Sequence, residues 1–265
     1  MRVVPVPCLS DNYAYLVICE QTQRAAIVDP GEAAPILAAV EREGVELVAV
    51  WATHHHADHV GGVPAVAEAR PGIEVIGHVR DRERIAGLTR AVEDGERVGV
   101  GEVTAKIIHN PGHTLGAISY WCEPGAATGA GAVFTGDTLF AAGCGRLFEG
   151  TPAQMRESLA RLTSLPEATA IYFGHEYTAN NLRFAAAVEP DSPAVAARAT
   201  EVEAVRKAGK PTTPSTVALE KATNPFVRVA EEPVKAAARR VDAEVKDGDP
   251  VDVLAVIRRW KDQFR

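Results

Sequence analysis

Apolar positions change their spacing along the chain, and the change divides it into two parts. Over the first two-thirds, short runs rich in β-branched and aromatic residues alternate with helical spacing. Positions 15–18 and 25–28 read as strands, the second stopped by the turn Asp29-Pro30-Gly31. Between 32 and 44 the apolar residues Ile36, Leu37 and Val40 recur at helical intervals, with Gly44 as the stop. Positions 47–52 are continuously apolar, which predicts a strand buried on both faces of a helix-covered sheet. A helix over 60–70 stops at Pro71-Gly72, and 74–77 is another short strand. Strands follow at 104–109, 117–122 and 132–134, then a helix at 157–165 and a strand at 170–173. Beyond Tyr177 no segment alternates convincingly as a strand. Segments 180–188, 193–208, 232–246 and 251–264 read as helices, with Pro and Thr clustered at 211–216. The expected organisation is an α/β domain over 1–176 and a helical domain over 177–265.

Composition narrows the function classes. With 265 residues, 46% of them hydrophobic and 24% charged, the chain can bury a large core without disulfide staples. The net charge is −7 and there is no run of Lys or Arg, which argues against a nonspecific nucleic-acid binder. The four cysteines, at 8, 19, 122 and 144, form no CxxC pair and fit a reducing compartment. Two prolines and the polar residues Ser10, Asp11 and Asn12 interrupt the N-terminal apolar stretch, unlike a signal peptide. No window approaches the roughly 18 apolar residues of a membrane span. The expectation is a soluble cytoplasmic protein without membrane or nucleic-acid partners.

The candidate chemistry lies in the histidines. Four of the eight fall within Thr53-His54-His55-His56-Ala57-Asp58-His59, directly after the buried strand. His54 and His56 are two residues apart, so an extended strand end turns both the same way and His55 elsewhere. Asp58 and His59 come where the chain turns into a helix and can aim at a neighbouring point. Imidazole nitrogen and carboxylate oxygen suit zinc and similar ions, so this one segment can begin two adjacent metal sites. His113, Asp137 and His175 each follow a predicted strand, as ligands in open α/β sheets do. Any one of them alone would read as a turn residue; their recurrence at equivalent places points to a metal centre.

The pattern HxHxDH, then His in PGHT, Asp in GDT and His in GHEY resembles the metallo-β-lactamase fold. The resemblance implies an αββα sandwich with a dinuclear centre between two sheets. Position by position, it implies that His54, His56 and His113 hold one metal. Asp58, His59 and His175 would hold the second, and Asp137 would bridge. His55, His78 and His109 match no ligand position, and His55 is expected to pack or hydrogen-bond within its own loop. Two ions about 3.5–4 Å apart can share a hydroxide at neutral pH, so no side-chain nucleophile is required. The chain has no GxSxG, HExxH, Walker lysine or GxGxxG motif, and Cys144 is expected to be a small buried residue.

The final helix carries Val253, Leu254, Ile257 and Trp260 as an apolar stripe, while Arg258 and Lys261 share a face. Such a pair either clamps a carboxylate or is a solvated basic face near a helix C-terminus. Segments 143–151, 174–178, 219–228 and 258–264 together resemble the hydroxyacylglutathione hydrolase (glyoxalase II) family over essentially the whole chain. That resemblance implies hydrolysis of S-D-lactoylglutathione to glutathione and D-lactate by a metal-bridging hydroxide, oriented by Asp58. Arg146, Arg258 and Lys261 would bind the glycine carboxylate of the glutathione moiety, and Tyr177 would hydrogen-bond its peptide backbone. Phe148, where some members have Tyr, would pack on substrate without donating a hydrogen bond. The cofactors expected are two divalent ions, zinc first, with iron or manganese accepted by the same donors. A monomer is expected. The rival classes are a one-iron persulfide dioxygenase of related fold, a nuclease, whose basic exosite is missing here, and a binding module that has lost its metals.

Overall fold

Residues 12–19, Asn-Tyr-Ala-Tyr-Leu-Val-Ile-Cys, are buried at every position. Tyr13, Tyr15, Val17 and Cys19 enter one core, and Ala14, Leu16 and Ile18 another. Successive strand residues face opposite ways, so this strand lies in a sheet covered on both sides. The computed structural model, which describes residues 1–245 and 248–264, contains that sheet and a second one packed against it.

The first sheet holds β1 (Arg2–Cys8), β2 (Asn12–Cys19), β3 (Arg24–Val28), β4 (Glu46–Trp51), β5 (Glu74–His78) and β6 (Arg90–Val92) in that order. It is antiparallel through β3 and parallel from β3 to β6. The helices α1 (Ala33–Glu43), the one-turn α2 (Ala57–Val60) and α3 (Val63–Ala69) lie along it. Ile36 and Val40 of α1 and Val63 and Val66 of α3 close its outer core with Leu16, Ile27 and Val50.

The second sheet is built from β7 (Arg97–Val100), β8 (Val103–His109), β9 (Ile118–Cys122) and β10 (Ala132–Gly136). After the small ribbon β11 (Leu139–Phe140) and β12 (Gly143–Cys144), it gains β13 (Ala170–Phe173) and β14 (Ser215–Thr216). Its strand order is β14-β13-β10-β9-β8-β7. The helices that follow are α4 (Pro152–Thr163), α5 (Thr178–Val188), α6 (Pro193–Lys207), α7 (Val217–Thr223), α8 (Glu232–Val241) and α9 (Pro250–Gln263). Met155, Leu159 and Leu162 of α4 share the large core with Val253, Leu254 and Ile257 of α9. The result is the αββα layering that the resemblance implies. Between the sheets, Trp51 stacks on Tyr120 with ring centroids 5.1 Å apart. Fully burying such side chains stabilises by about 1.5–3 kcal/mol each. The Tyr120 hydroxyl also donates to the Ala52 carbonyl at 3.0 Å, which ties the sheets together beside the end of β4.

Several elements differ from the sequence expectation. Pro5 and Pro7 lie inside β1, which tolerates them because it is an edge strand needing only one side of its hydrogen bonds. The short β14 is a strand beyond Tyr177, a correction to the all-helical expectation there; it pairs with β13. Helix α4 starts at Pro152, where Thr151 and Gln154 form a capping box. Helix α8 ends at Val241, short of the expected end at Lys246, a residue outside those described. No described helix is long and apolar enough to cross a membrane.

Candidate functional site

Strands β4, β8, β10 and β13 deliver their C-terminal ends to one edge of the sandwich. In the second sheet β8 and β10 both run antiparallel to β9, and β13 runs parallel to β10. The loops after these four strands carry residues 53–59, His113, Asp137 and His175. Strand β2 begins at the same edge, so Asp11 and Asn12 arrive there too. Backbone bonds join the sheets at this point: Tyr13 N–H to Gly174 O at 2.8 Å, Glu176 N–H to Asp11 O at 2.8 Å and Ile118 N–H to Thr53 O at 2.9 Å.

All seven candidate metal donors converge there. His56 Nδ1 lies 3.1 Å from His54 Nε2 and 3.0 Å from His113 Nε2. Nearby, His59 Nε2 and His175 Nε2 are 3.2 Å apart, and Asp58 Oδ2 is 3.5 and 3.3 Å from them. Asp137 stands between the two groups, with Oδ1 3.3 Å from His59 Nε2 and Oδ2 3.5 Å from His113 Nε2. In each group the three donor atoms lie within 4.8 Å of one another. The close approach requires glycine at 174: a Cβ there would come within 2.3 Å of Asp137 Oδ1 and 2.8 Å of His59 Cε1.

Hydrogen bonds on the far side of each ring decide which nitrogen is free. His113 Nδ1–H donates to the Arg146 carbonyl at 2.9 Å. His59 Nδ1–H donates to Asp29 Oδ2 at 3.0 Å and His175 Nδ1–H to Asp11 Oδ1 at 2.9 Å. The Thr53 hydroxyl gives its proton to Asp29 Oδ2 at 2.7 Å, so it accepts from His54 Nδ1–H at 3.0 Å. Four imidazoles thus turn Nε2 inward, the arrangement seen when a ligating histidine donates its other N–H to an outer acceptor. Asp137 Oδ1 is buried without a hydrogen-bond partner. Clustered inward-facing imidazole nitrogens and an unpartnered carboxylate oxygen fit divalent cations. Asp29 also lies near His54 and His59, but its oxygens are taken by Thr53 and His59. It is therefore an outer support rather than a third site.

The two halves of the centre differ in charge. Burial and neighbouring histidines pull His54 well below the usual imidazole range and His56 to about 4, and burial likewise lowers His113. Burial opposes protonation of His59 as well, but Asp137 and Asp29 outweigh it and push it up to about 10. Asp137, Asp58 and Asp11 together raise His175 to about 11 despite its burial. The hydrogen bond from His175 holds Asp58 below the usual carboxylate range, and His59 and His175 do the same for Asp137 against its burial. Negative charge in this half calls for cations, and metal ions would take the place of the protons.

From these donors a cleft of about 720 Å³ leads to α9. Arg258, though 6% exposed, reaches it. Its NH1 donates to the Cys144 carbonyl at 2.8 Å, its NH2 to Asp262 at 2.9 Å, and its guanidinium lies 4.9 Å from the Phe226 ring centre. Burial and the nearby Arg258, Arg183 and Arg146 push Lys261 down to about 8. Arg146 and Lys261 line the same cleft. Tyr177 stacks on His175 with centroids 4.8 Å apart. Phe148 is 63% exposed and turns its ring toward His56 and His113 at 5.6 and 5.3 Å. Cys144 is buried, and desolvation pushes its thiol up to about 11, which suits a packing role.

His55 reaches outside its own loop, a correction to the expectation. Its Nδ1 lies 3.0 Å from Asp81 Oδ1 and its Nε2 3.7 Å from Glu149 Oε1. His78 and His109 stack on each other at 4.3 Å. Sequence reasoning missed Asp11, Asp29 and Thr53. Asp29 ends β3, beside β4, so the strand-end rule applied to the other ligands could have found it.

Residues 10–175 match the family described as metallo-beta-lactamase superfamily, and residues 176–264 match hydroxyacylglutathione hydrolase C-terminus. A hydroxyacylglutathione hydrolase of Synechococcus sp. is 48% identical over 266 residues, spanning 100% of each chain. Among solved structures, ETHE1 from Myxococcus xanthus is similar at TM-score 0.66 and 27% identity, over 97% of this chain and 98% of its own. TTHA1623, solved in a di-iron-bound form, is similar at TM-score 0.59 and 28% identity, over 85% of this chain and 100% of its own.

Proposed function

The chain belongs to the hydroxyacylglutathione hydrolase family of the metallo-β-lactamase superfamily, and from that premise we propose that it hydrolyses S-D-lactoylglutathione to glutathione and D-lactate. The observation that carries this reading is the joining, in one cleft, of convergent imidazole and carboxylate donors with the cations Arg146, Arg258 and Lys261. In this reading residues 1–176 form the catalytic domain and 177–265 the substrate-binding domain.

His54, His56 and His113 would hold one ion and Asp58, His59 and His175 the second, with Asp137 placed between the two groups. Zinc is the first choice, although the relative solved with two irons supports iron as an occupant. When bound there, such ions would supply water activation at neutral pH and Lewis acidity toward a thioester carbonyl. The chain's own groups arrange the reactants. Asn12 Nδ2 donates to Asp58 Oδ2 at 3.0 Å and steadies that carboxylate, which accepts a hydrogen bond from the nucleophile and orients it. The three cations take the glycine carboxylate, Tyr177 a peptide group, and Phe148 packs on the substrate. The departing thiol has an ordinary pKa of about 8.5, so it leaves as thiolate without a dedicated general acid. This reading takes the enzyme to act as a monomer in the cytoplasm, in keeping with four buried free thiols.

The test is steady-state hydrolysis of S-D-lactoylglutathione beside a metal count. About two divalent ions per chain are expected, with activity lost on chelation and regained on adding metal. His56→Ala and Asp137→Ala should lose both metal and turnover. One iron per chain with oxygen consumption would replace the reading by a dioxygenase, and full activity in a metal-free variant would refute it.

A further inference from the structure

Helix α9 carries a carboxylate in the place where the proposed substrate carboxylate must dock. Asp262 Oδ1 lies 2.9 Å from Arg258 NH2 and 3.6 Å from Arg146 Nε. A single anionic oxygen thus stands between two guanidinium groups that come from distant parts of the chain. Asp262 lines the same cleft as Arg146, Arg258 and Lys261. Its side chain is 40% exposed, so the core does not need it. Nor does Arg258 need it for placement, because the Cys144 carbonyl and the Phe226 ring already hold the guanidinium.

We propose that Asp262 is an internal competitor for the substrate's glycine carboxylate, and so sets how tightly the cleft holds glutathione-bearing ligands. This inference rests on the function proposed above. Without substrate, Asp262 neutralises cations that would otherwise repel one another. When the ligand docks, its carboxylate must displace Asp262 or lie beside it. At about 4–6 Å in an open, largely solvated cleft with an effective dielectric of about 60–80, repulsion between two carboxylates changes affinity by about three- to tenfold. The glycine carboxylate is remote from the reacting thioester and is the same in substrate, transition state and product. Binding there is uniform, and making it tighter only slows product release. Asp262 limits that grip while the arginines keep their selectivity for an anion.

The experiment compares wild type with Asp262→Asn, which keeps the side-chain shape and removes the charge. Glutathione binding is measured by calorimetry on the metal-loaded enzyme at about pH 6.5, where Lys261 carries its proton. The variant should bind glutathione about three- to tenfold more tightly and be inhibited by it more strongly. Glutathione with its glycine carboxylate converted to the neutral carboxamide should bind both proteins within about twofold. Asp262→Glu should stay close to wild type. Damage to the fold does not tighten binding, so the sign separates this role from a structural one. Unchanged or weaker glutathione binding in Asp262→Asn overturns the inference, as does equal tightening for the glycine carboxamide. A wild-type enzyme that neither binds glutathione nor cleaves its lactoyl thioester overturns the substrate reading and this inference together.

Discussion

Replacing Asp29 by Asn should empty part of the metal centre although Asp29 is not among the proposed ligands. Its carboxylate accepts three hydrogen bonds, from Thr53 N–H and Thr53 Oγ1 at 2.7 Å each and from His59 Nδ1 at 3.0 Å. An amide has one oxygen for these donors, and its NH2 must face another donor. If the amide oxygen stays on Thr53 N–H, the NH2 confronts both the Thr53 hydroxyl and His59 Nδ1–H. His59 can then shed that hydrogen bond only by changing tautomer, which places a proton on the Nε2 that faces Asp137. His54 is affected as well, because Thr53 Oγ1 holds its Nδ1 proton. A lost hydrogen bond to a charged group costs about 1.5–3 kcal/mol, or roughly 10- to 150-fold. Outer partners of metal ligands typically matter 10- to 100-fold. The expected result is a loss of metal affinity of one to two orders of magnitude, read by elemental analysis and by titration with a competing chelator. Hydrolysis at limiting metal should fall in parallel and recover at high metal. A variant that keeps both ions at the wild-type chelator midpoint would refute this chain of contacts.

Other expectations test the cleft and its support. Lys261 is cationic below its pKa of about 8 and neutral above it, so KM for the anionic thioester should rise roughly tenfold as the pH passes from 7 to 9. Lys261→Arg keeps the charge and should flatten that rise; an equal rise in this variant would assign the titration elsewhere. Arg258→Ala should raise KM about 10- to 150-fold, the worth of a charge-assisted bond to the substrate carboxylate, and an unchanged KM would remove the clamp. Glu220 is fully buried 2.7 Å from Arg198, so Glu220→Ala leaves a buried cation unpaired. Urea denaturation should show a loss of about 3–5 kcal/mol, and a loss below about 1 kcal/mol would contradict it.

The sequence made the site more legible than the fold around it. His54, His56, Asp58 and His59 could be placed because β4 is a continuous apolar run with a sharp end, and strand ends are where such sheets build sites. His113, Asp137 and His175 followed by the same rule. Their outer partners were hidden because Asp11 and Asp29 occupy turns, where Asp is common for local reasons. Asp29 follows β3 beside β4 and was open to the strand-end rule, whereas Asp11 meets His175 only where the two sheets come together, which no local pattern reveals. Strand β1 escaped notice because its prolines exclude a central strand and only an edge position permits them. Strand β14 has two residues and no period of its own; β13 gives it a partner. His55 pairs with Asp81, 26 positions away, a contact set by tertiary packing.

The helical part helps build the walls of the cleft as well as covering it. Between Phe140 and Arg146 the backbone is held by side chains from α5, α7 and α9. Asn181 Nδ2 donates to Ala141 O, and Asn224 Nδ2 donates to Phe140 O and Gly143 O. Ala142 N–H donates to Glu220 Oε2 at 2.8 Å, and Arg258 donates to Cys144 O. Ala142 has φ +53°, a left-handed conformation that a residue other than glycine adopts only when its surroundings enforce it. Two residues past Cys144, the Arg146 carbonyl receives the His113 Nδ1 proton, while the Arg146 side chain enters the cleft. Gly145, between them, permits contact with the centre: a Cβ there would meet the Asp137 carbonyl at 1.9 Å. One short segment therefore sets both the tautomer of His113, a candidate metal donor, and the position of Arg146 in the cleft. Glu220 and Asn224 supply part of the hold on its backbone. Substrate grip and metal affinity should consequently shift together when α7 is perturbed, although no residue of α7 is among those lining the cleft.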